Sequence, residues 1–185
     1  LQIFFRKFLS IFINQKPATK LKVLLLNSYQ IQINQNKMDI IKNITALETI
    51  LIRQPVLRAG RSIESCHFEG DDLPSTKHFG IYYDKKLVGV VSVFSKINSI
   101  FNSPNQFQLR GMAILSEFQK RGFGEKLLQH CEDYIKSQNG SMIWFNARVT
   151  AVSFYEKSHY KKIGDPFSIL EIGPHYLMKK EIDYP

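Results

Sequence analysis

The run Ser116-Glu117-Phe118-Gln119-Lys120-Arg121-Gly122-Phe123-Gly124 sets two glycines and two adjacent cations just before an amphipathic stretch. Where such a run joins a strand to a helix, successive main-chain N–H groups point together at one anion. Gly122 and Gly124 remove side chains that would block close approach, the helix start adds a favourable dipole, and Lys120 and Arg121 add positive charge. The chemistry is the gripping of a pyrophosphate. The spacing Gln-x-x-Gly-x-Gly lacks the third glycine of the dinucleotide fingerprint and the Gly-Lys-Ser/Thr ending of a P-loop, so both familiar nucleotide loops are disfavoured.

Those residues need a strand before them and a helix behind them. Residues 107–114 read as the strand, and residues 122–137 as the helix, with Leu127, Leu128, Cys131 and Ile135 on one apolar face. Upstream, residues 39–44 suit a first strand, and Thr45 caps a helix over 46–52 that must end before Pro55. Residues 60–75, rich in Gly, Ser, Asp and Pro, read as loop. Residues 77–83 and 87–94 form an antiparallel hairpin about Asp84-Lys85-Lys86, with Gly89 at a bulge or a close approach. Downstream come a strand at 142–147, a helix at about 150–159, and closing strands near 160–163 and 176–182. Antiparallel strands followed by βα units give an α+β fold with a mixed central sheet.

Composition bounds the partners. With 44% hydrophobic and 22% charged residues the chain is a folding sequence, and 185 residues suit one domain of ordinary size. Of the formal net charge of +9, residues 1–37 supply six basic residues and no acid, so the remainder is nearly balanced. No element interleaves Lys/Arg with aromatics on one face, which argues against a nucleic-acid partner. Residues 1–37 differ in composition from the rest and are read as a leader or upstream segment outside the functional fold, with 38–185 as the functional domain. The leader's apolar run is too short and too interrupted for a transmembrane helix, and no membrane partner is expected. Two cysteines without CxxC or Cys/His zinc spacing indicate neither a disulfide framework nor a metal site. A reducing, cytoplasmic compartment is expected, with Cys131 a buried small hydrophobe.

The segments LRGMAILSEFQKRGFG, NARVTAVSFYEKSHYKKIG and IGPHYLMKK, together with GDDLPSTKHFG, resemble the GNAT superfamily of N-acetyltransferases, in particular a small bacterial-type subfamily. The resemblance covers residues 40–182. It implies a mostly antiparallel central sheet flanked by helices and splayed between the fourth and fifth strands, with acetyl-CoA as the acyl donor and no metal. It further implies that Gln119, Lys120, Arg121, Gly122, Phe123 and Gly124 hold the CoA pyrophosphate, and that the backbone of Met112, Ala113 and Ile114 pairs with the pantetheine arm. A backbone N–H near Met112 or Ala113 would then stabilise an oxyanion. Tyr155 matches the family's tyrosine that protonates the departing thiolate, a task that suits a phenol, neutral at pH 7. The family often carries Asn where this chain has Arg148; Asn146 is assigned part of that cofactor-binding role.

The acceptor is a primary amine of a small molecule or peptide, and such an amine needs a base, because it is almost wholly protonated at pH 7. Candidates are Glu64, Asp71, Asp72, His78 and His175. We favour His175 as the catalytic group, since Gly173-Pro174 fixes the turn before it and histidine as a residue type titrates near neutral pH. His78 follows, as a substrate-binding residue. Arg110, expected on the same strand face as Met112 and Ile114, is assigned to bind a carboxylate on the acceptor. The absence of an evident base, with Arg148 in place of Asn, leaves open a catalytically inactive CoA-binding sensor or interaction module. The chain is expected as a monomer or homodimer.

Overall fold

A computed structural model describes residues 39–184; residues 1–37 lie outside them, and the reading of that segment as a leader with them. A seven-stranded sheet in the order β1-β2-β3-β4-β5-β7-β6 carries the molecule. Its strands are β1 (Asp39–Ile44), β2 (Lys77–Tyr83), β3 (Lys86–Ser95), β4 (Gln106–Ile114), β5 (Met142–Arg148), β6 (Lys161–Ile169) and β7 (Gly173–Glu181). Neighbours are antiparallel throughout except β4 and β5, which run parallel. The helices are α1 (Ala46–Leu57), α2 (Phe123–Ser137) and α3 (Val152–Lys157). The expected α+β fold, with its mixed, mostly antiparallel sheet flanked by helices, is what the chain adopts.

The parallel pair is short. β4 and β5 are in register only at Gln106↔Met142, Phe107↔Ile143 and Gln108↔Trp144. Beyond Gln108 the strands part, and the β5-facing edge of β4 from Leu109 to Ile114 has no ladder partner among the described residues. This is the splay between the fourth and fifth strands, and it leaves backbone groups free to pair with something else.

The main core lies on the α2 side of the sheet. Leu127, Leu128, Cys131 and Ile135 are 0–1% exposed and pack with Phe79, Val91, Leu109 and Phe145. Burial pushes the Cys131 thiol up from its ordinary range, so it stays a neutral, inert packing group. On the other side, α1 covers Val90 and Ala113 through Ile52, Val56 and Leu57.

Several element ends differ from the sequence reading. α1 does not stop before Pro55 but runs to Leu57. Proline deletes only the N–H that would reach toward residue 51, on the exposed side of the helix, while Ile52, Arg53, Val56 and Leu57 keep their burial against the sheet. The start is as expected: Thr45 caps it, and Glu48 returns a bond to the Thr45 N–H at 2.7 Å, completing a capping box. The helix expected over 150–159 is instead a 3₁₀ turn, Val149–Ala151, leading into α3. β6 is longer than expected and contains Pro166; as an edge strand with a register break between Ile163 and Phe167, it tolerates a missing donor.

Candidate active site

β4 decides which side chains face which side of the sheet. Opposite β3, Ser92 pairs Arg110 while Val90 pairs Ala113, so β4 carries one extra residue there. Gly111 sits in that bulge with φ +61°, and an added Cβ would lie 2.6 Å from Arg53 Nε and 2.8 Å from Phe68. Only glycine fits both the conformation and the space. The extra residue shifts the two-residue alternation by one. Leu109, Met112 and Ile114 therefore pack together on the α2 side. Arg110, expected to share a face with Met112 and Ile114, lies on the opposite side, 4.9 Å from the Phe68 ring centre and 5.1 Å from that of Phe94.

The loop from Gln119 to Gly124 leads into the start of α2. Gly122 starts α2 with φ +81°, and an added Cβ there would meet nothing within 4 Å, so the space above the helix start is open. The first intrahelical bond runs from Lys126 N to Gly122 O at 3.1 Å, which leaves the N–H groups of residues 123–125 without an intrahelical acceptor. Lys120 and Arg121 are exposed beside them. These features fit a CoA pyrophosphate. The other loop residues have different jobs. Gln119 Nε2 donates to Ile114 O at 2.9 Å, tying the loop to the end of β4 and occupying that carbonyl. The Phe123 ring is buried against Tyr83 and Phe118, so only its main chain faces the loop. Gly124 lets Phe154 approach, since an added Cβ would lie 3.2 Å from its ring.

Where β4 and β5 part, a cavity of about 370 Å³ opens. It brings together Arg110, Met112, Asn146, Tyr155 and His175. Tyr155 reaches it from α3: its ring packs 4.3 Å from that of Phe145, and its hydroxyl lies 3.6 Å from Met112 Sδ. Burial holds the phenol pKa well above its ordinary value, so it is a proton donor across the neutral range. Asn146 and Arg148 alternate away from Phe145 and Ala147, toward the Arg110 side of the sheet. His175 is directly opposite Arg148 in the β5–β7 ladder. Its Nδ1 lies 2.8 Å from Gly173 O; a carbonyl can only accept, so Nδ1 carries the proton and a neutral ring keeps its lone pair on Nε2, which makes no hydrogen bond among the described residues.

His78 is not in this cavity. It is 6% exposed, with Nδ1 2.6 Å from Ser92 Oγ and Nε2 2.8 Å from Asp71 O. Arg53 closes the same buried network through Asp71, at 2.5 Å, and Ser92. Both ring nitrogens serve the fold, so the assignment of His78 to substrate is corrected to a structural one. Asp71 is likewise spent on Arg53, and Asp72 lies 3.0 Å from His67.

Sequence reasoning missed Arg58, Phe68, Glu69 and Gln108, all on the cavity wall. Gln108 Oε1 is buried and without a partner among the described residues. Its place at the last rung of the parallel ladder was not readable from residue type, since β4 carries Gln106 and Arg110 as well and its polar positions look alike in sequence.

The sequence matches the acetyltransferase (GNAT) domain family over residues 66–181, and the chain belongs to that family. It is an acetyl-CoA-dependent N-acetyltransferase. It is similar to the uncharacterized N-acetyltransferase YitI of Bacillus subtilis (strain 168), with 31% identity over 142 residues, 77% of this chain and 95% of that protein. Its fold resembles an aminoglycoside 6'-N-acetyltransferase complexed with coenzyme A, at TM-score 0.63 and 16% identity, over 79% of this chain and 98% of the other. It also resembles the ribosomal-protein-S18-alanine N-acetyltransferase from Escherichia coli, at TM-score 0.61 and 16% identity, over 80% and 96% of the two chains. No described helix is long and apolar enough to cross a membrane.

Proposed function

We propose that the protein transfers an acetyl group from acetyl-CoA to the primary amine of a small molecule or peptide by direct attack on the thioester. The observation that carries this reading is the meeting of Met112, Tyr155 and His175 at one cavity beside the sheet's splay. Acetyl-CoA supplies the activated acyl group. The N–H groups that start α2, with Lys120 and Arg121, hold its pyrophosphate, and the unpaired edge of β4 lines its pantetheine arm. His175 Nε2 accepts a proton from the acceptor's ammonium group, freeing the nitrogen lone pair for attack on the thioester carbon. A main-chain N–H at Met112 or Ala113 stabilises the charge that gathers on the thioester oxygen. As the C–S bond breaks, the Tyr155 hydroxyl gives its proton to the sulfur; the second proton, which the attacking nitrogen loses as the amide forms, returns through solvent to the phenolate, and His175 releases the first to solvent.

The test is thiol release from acetyl-CoA across a panel of amines, amino acids, polyamines and peptides, with the wild type and Tyr155→Phe. Turnover of at least one amine, sharply slowed in the variant, supports the reading. Acetyl-CoA binding without turnover of any amine would replace it by a CoA sensor.

A further inference from the structure

On the acceptor side, the cavity wall carries Arg58, Arg110, Arg148 and Lys96 against a single carboxylate, that of Glu69. The three guanidiniums come from the end of α1, from β4 and from β5, far apart in sequence. Each is held by main-chain carbonyls. Arg58 donates to Leu57 O at 3.1 Å and Ser65 O at 3.3 Å, Arg110 to Glu69 O at 3.0 Å, and Arg148 to Leu57 O at 3.0 Å. None has a carboxylate within 4.0 Å among the described residues, whereas Arg53 and Arg61 are paired with Asp71 and Glu171. Arg58 and Arg110 also lie over the Phe68 ring, at 5.4 and 4.9 Å, which orients them as well as partly drying them. Burial lowers the pKa of both, and for Arg58 the neighbouring Arg148 adds to the effect.

Four cations gathered in a partly dry concavity against one lining carboxylate make a net positive potential that an anion relieves and a further cation worsens. A guanidinium fork matches a carboxylate bidentately. On the same wall, Gln108 offers a buried carbonyl oxygen without a partner among the described residues, an acceptor for an amine N–H.

We infer that the acceptor is a small primary amine bearing a carboxylate. Its anionic end is held by Arg58, Arg110 and Arg148, and its nitrogen is directed toward Gln108, His175 and the splay. This rests on the transferase reading and narrows it: polyamines and aminoglycosides, whose extra positive charges meet like charges here, are poor acceptors.

The experiment compares matched ligands in two readouts. Amino acids, their amides, phosphate-bearing amines, polyamines and an aminoglycoside are assayed by thiol release, and the same compounds are titrated calorimetrically into the CoA-loaded protein. At least one carboxylated amine is expected to bind and react roughly tenfold or more better than its amide, the size of one lost charge-assisted hydrogen bond. Arg110→Gln and Arg148→Gln are expected to erase that preference by raising the acceptor KM, with CoA affinity and Tm close to wild type. Arg110→Lys, which keeps the charge and loses the fork, is expected to fall between. Equal or better use of amides, phosphorylated amines or polycations overturns the inference and leaves the transferase reading intact. A main effect of the variants on CoA affinity overturns it as well. A carboxylate preference in binding without turnover supports anion recognition and removes the transferase reading instead.

Discussion

The Tyr155 hydroxyl and the Met112 sulfur stand 3.6 Å apart, joining α3 to the bulged end of β4 across the mouth of the splay. The contact places a half-buried phenol beside the strand edge assigned to the thioester. Tyr155→Phe keeps the ring packing on Phe145 and removes only the proton. We expect kcat to fall by roughly 10²-fold or more, the range of one general acid, with acetyl-CoA affinity within about twofold. Steady-state kinetics with calorimetric CoA binding checks it; an unchanged kcat would remove Tyr155 from the mechanism. Because burial raises the phenol's pKa, its protonated form persists above the ordinary tyrosine value. No alkaline loss of kcat from this group is expected below about pH 10. Any stability this raised pKa contributes is fully present below the unfolded value and is lost only as pH climbs through the folded one.

His175→Gln removes the Nε2 lone pair and retains a side chain that can donate to Gly173 O. The expected result is a loss of roughly 10²-fold in kcat/KM for the amine, with little change in CoA binding. Thiol-release kinetics decides it, and a variant within threefold of wild type would pass the role of base to Glu69 or to water.

Gly122→Val forces a β-branched residue to φ +81° and puts its side chain into the open space over the start of α2. The rise in Tm that CoA produces in the wild type should vanish. An undiminished rise would show that the pyrophosphate lies elsewhere.

Gly111→Ala is expected to destabilise the fold by about 1–3 kcal/mol, since it combines a left-handed backbone with close contacts to Arg53 and Phe68. Denaturant unfolding measures it. A change below about 0.5 kcal/mol would mean that the bulge relaxes freely.

Thr45→Ala removes both hydroxyl bonds of the cap, from the Glu48 N–H and to the Glu48 carboxylate, and leaves the bond from the main-chain N–H of residue 45 to that carboxylate. A loss of about 1 kcal/mol is expected, seen as a fall in Tm of roughly 2–4 °C for a domain of this size. The hydrogen bonds from Thr45 hold the Glu48 carboxyl below its ordinary range. A depressed folded pKa gives stability that is present above the unfolded value and lost as pH falls through the folded one. The main-chain N–H, the larger cause, stays in the variant and only the hydroxyl's share is lost, so the difference between wild type and variant should shrink modestly in acid; a constant difference from neutral pH down to pH 2 would count against the hydroxyl–carboxylate bond.

Much of the donor side was readable because it is local. Gln119 through Gly124 are consecutive, and their glycines, cations and following helix declare themselves within one turn of chain. His78 misled because residue type does not show where a ring nitrogen's partners are; Ser92 and Asp71 reach it from other segments. Pro55 misled because its cost is one hydrogen bond on an exposed side, less than the burial of the residues beside it.

The sequence by itself determined most of the elements, the glycine-and-cation loop that starts α2 and the family, since periodicity, capping and a contiguous motif are properties of neighbouring residues. Only the tertiary structure decided what faces the acceptor. A single extra residue at Gly111 turns Arg110 away from Met112, and the register of β5 with β7 sets Arg148 opposite His175. Arg58 joins them from the end of α1, 90 residues before Arg148. Contacts between residues so distant depend on strand register and splay, which no local pattern encodes.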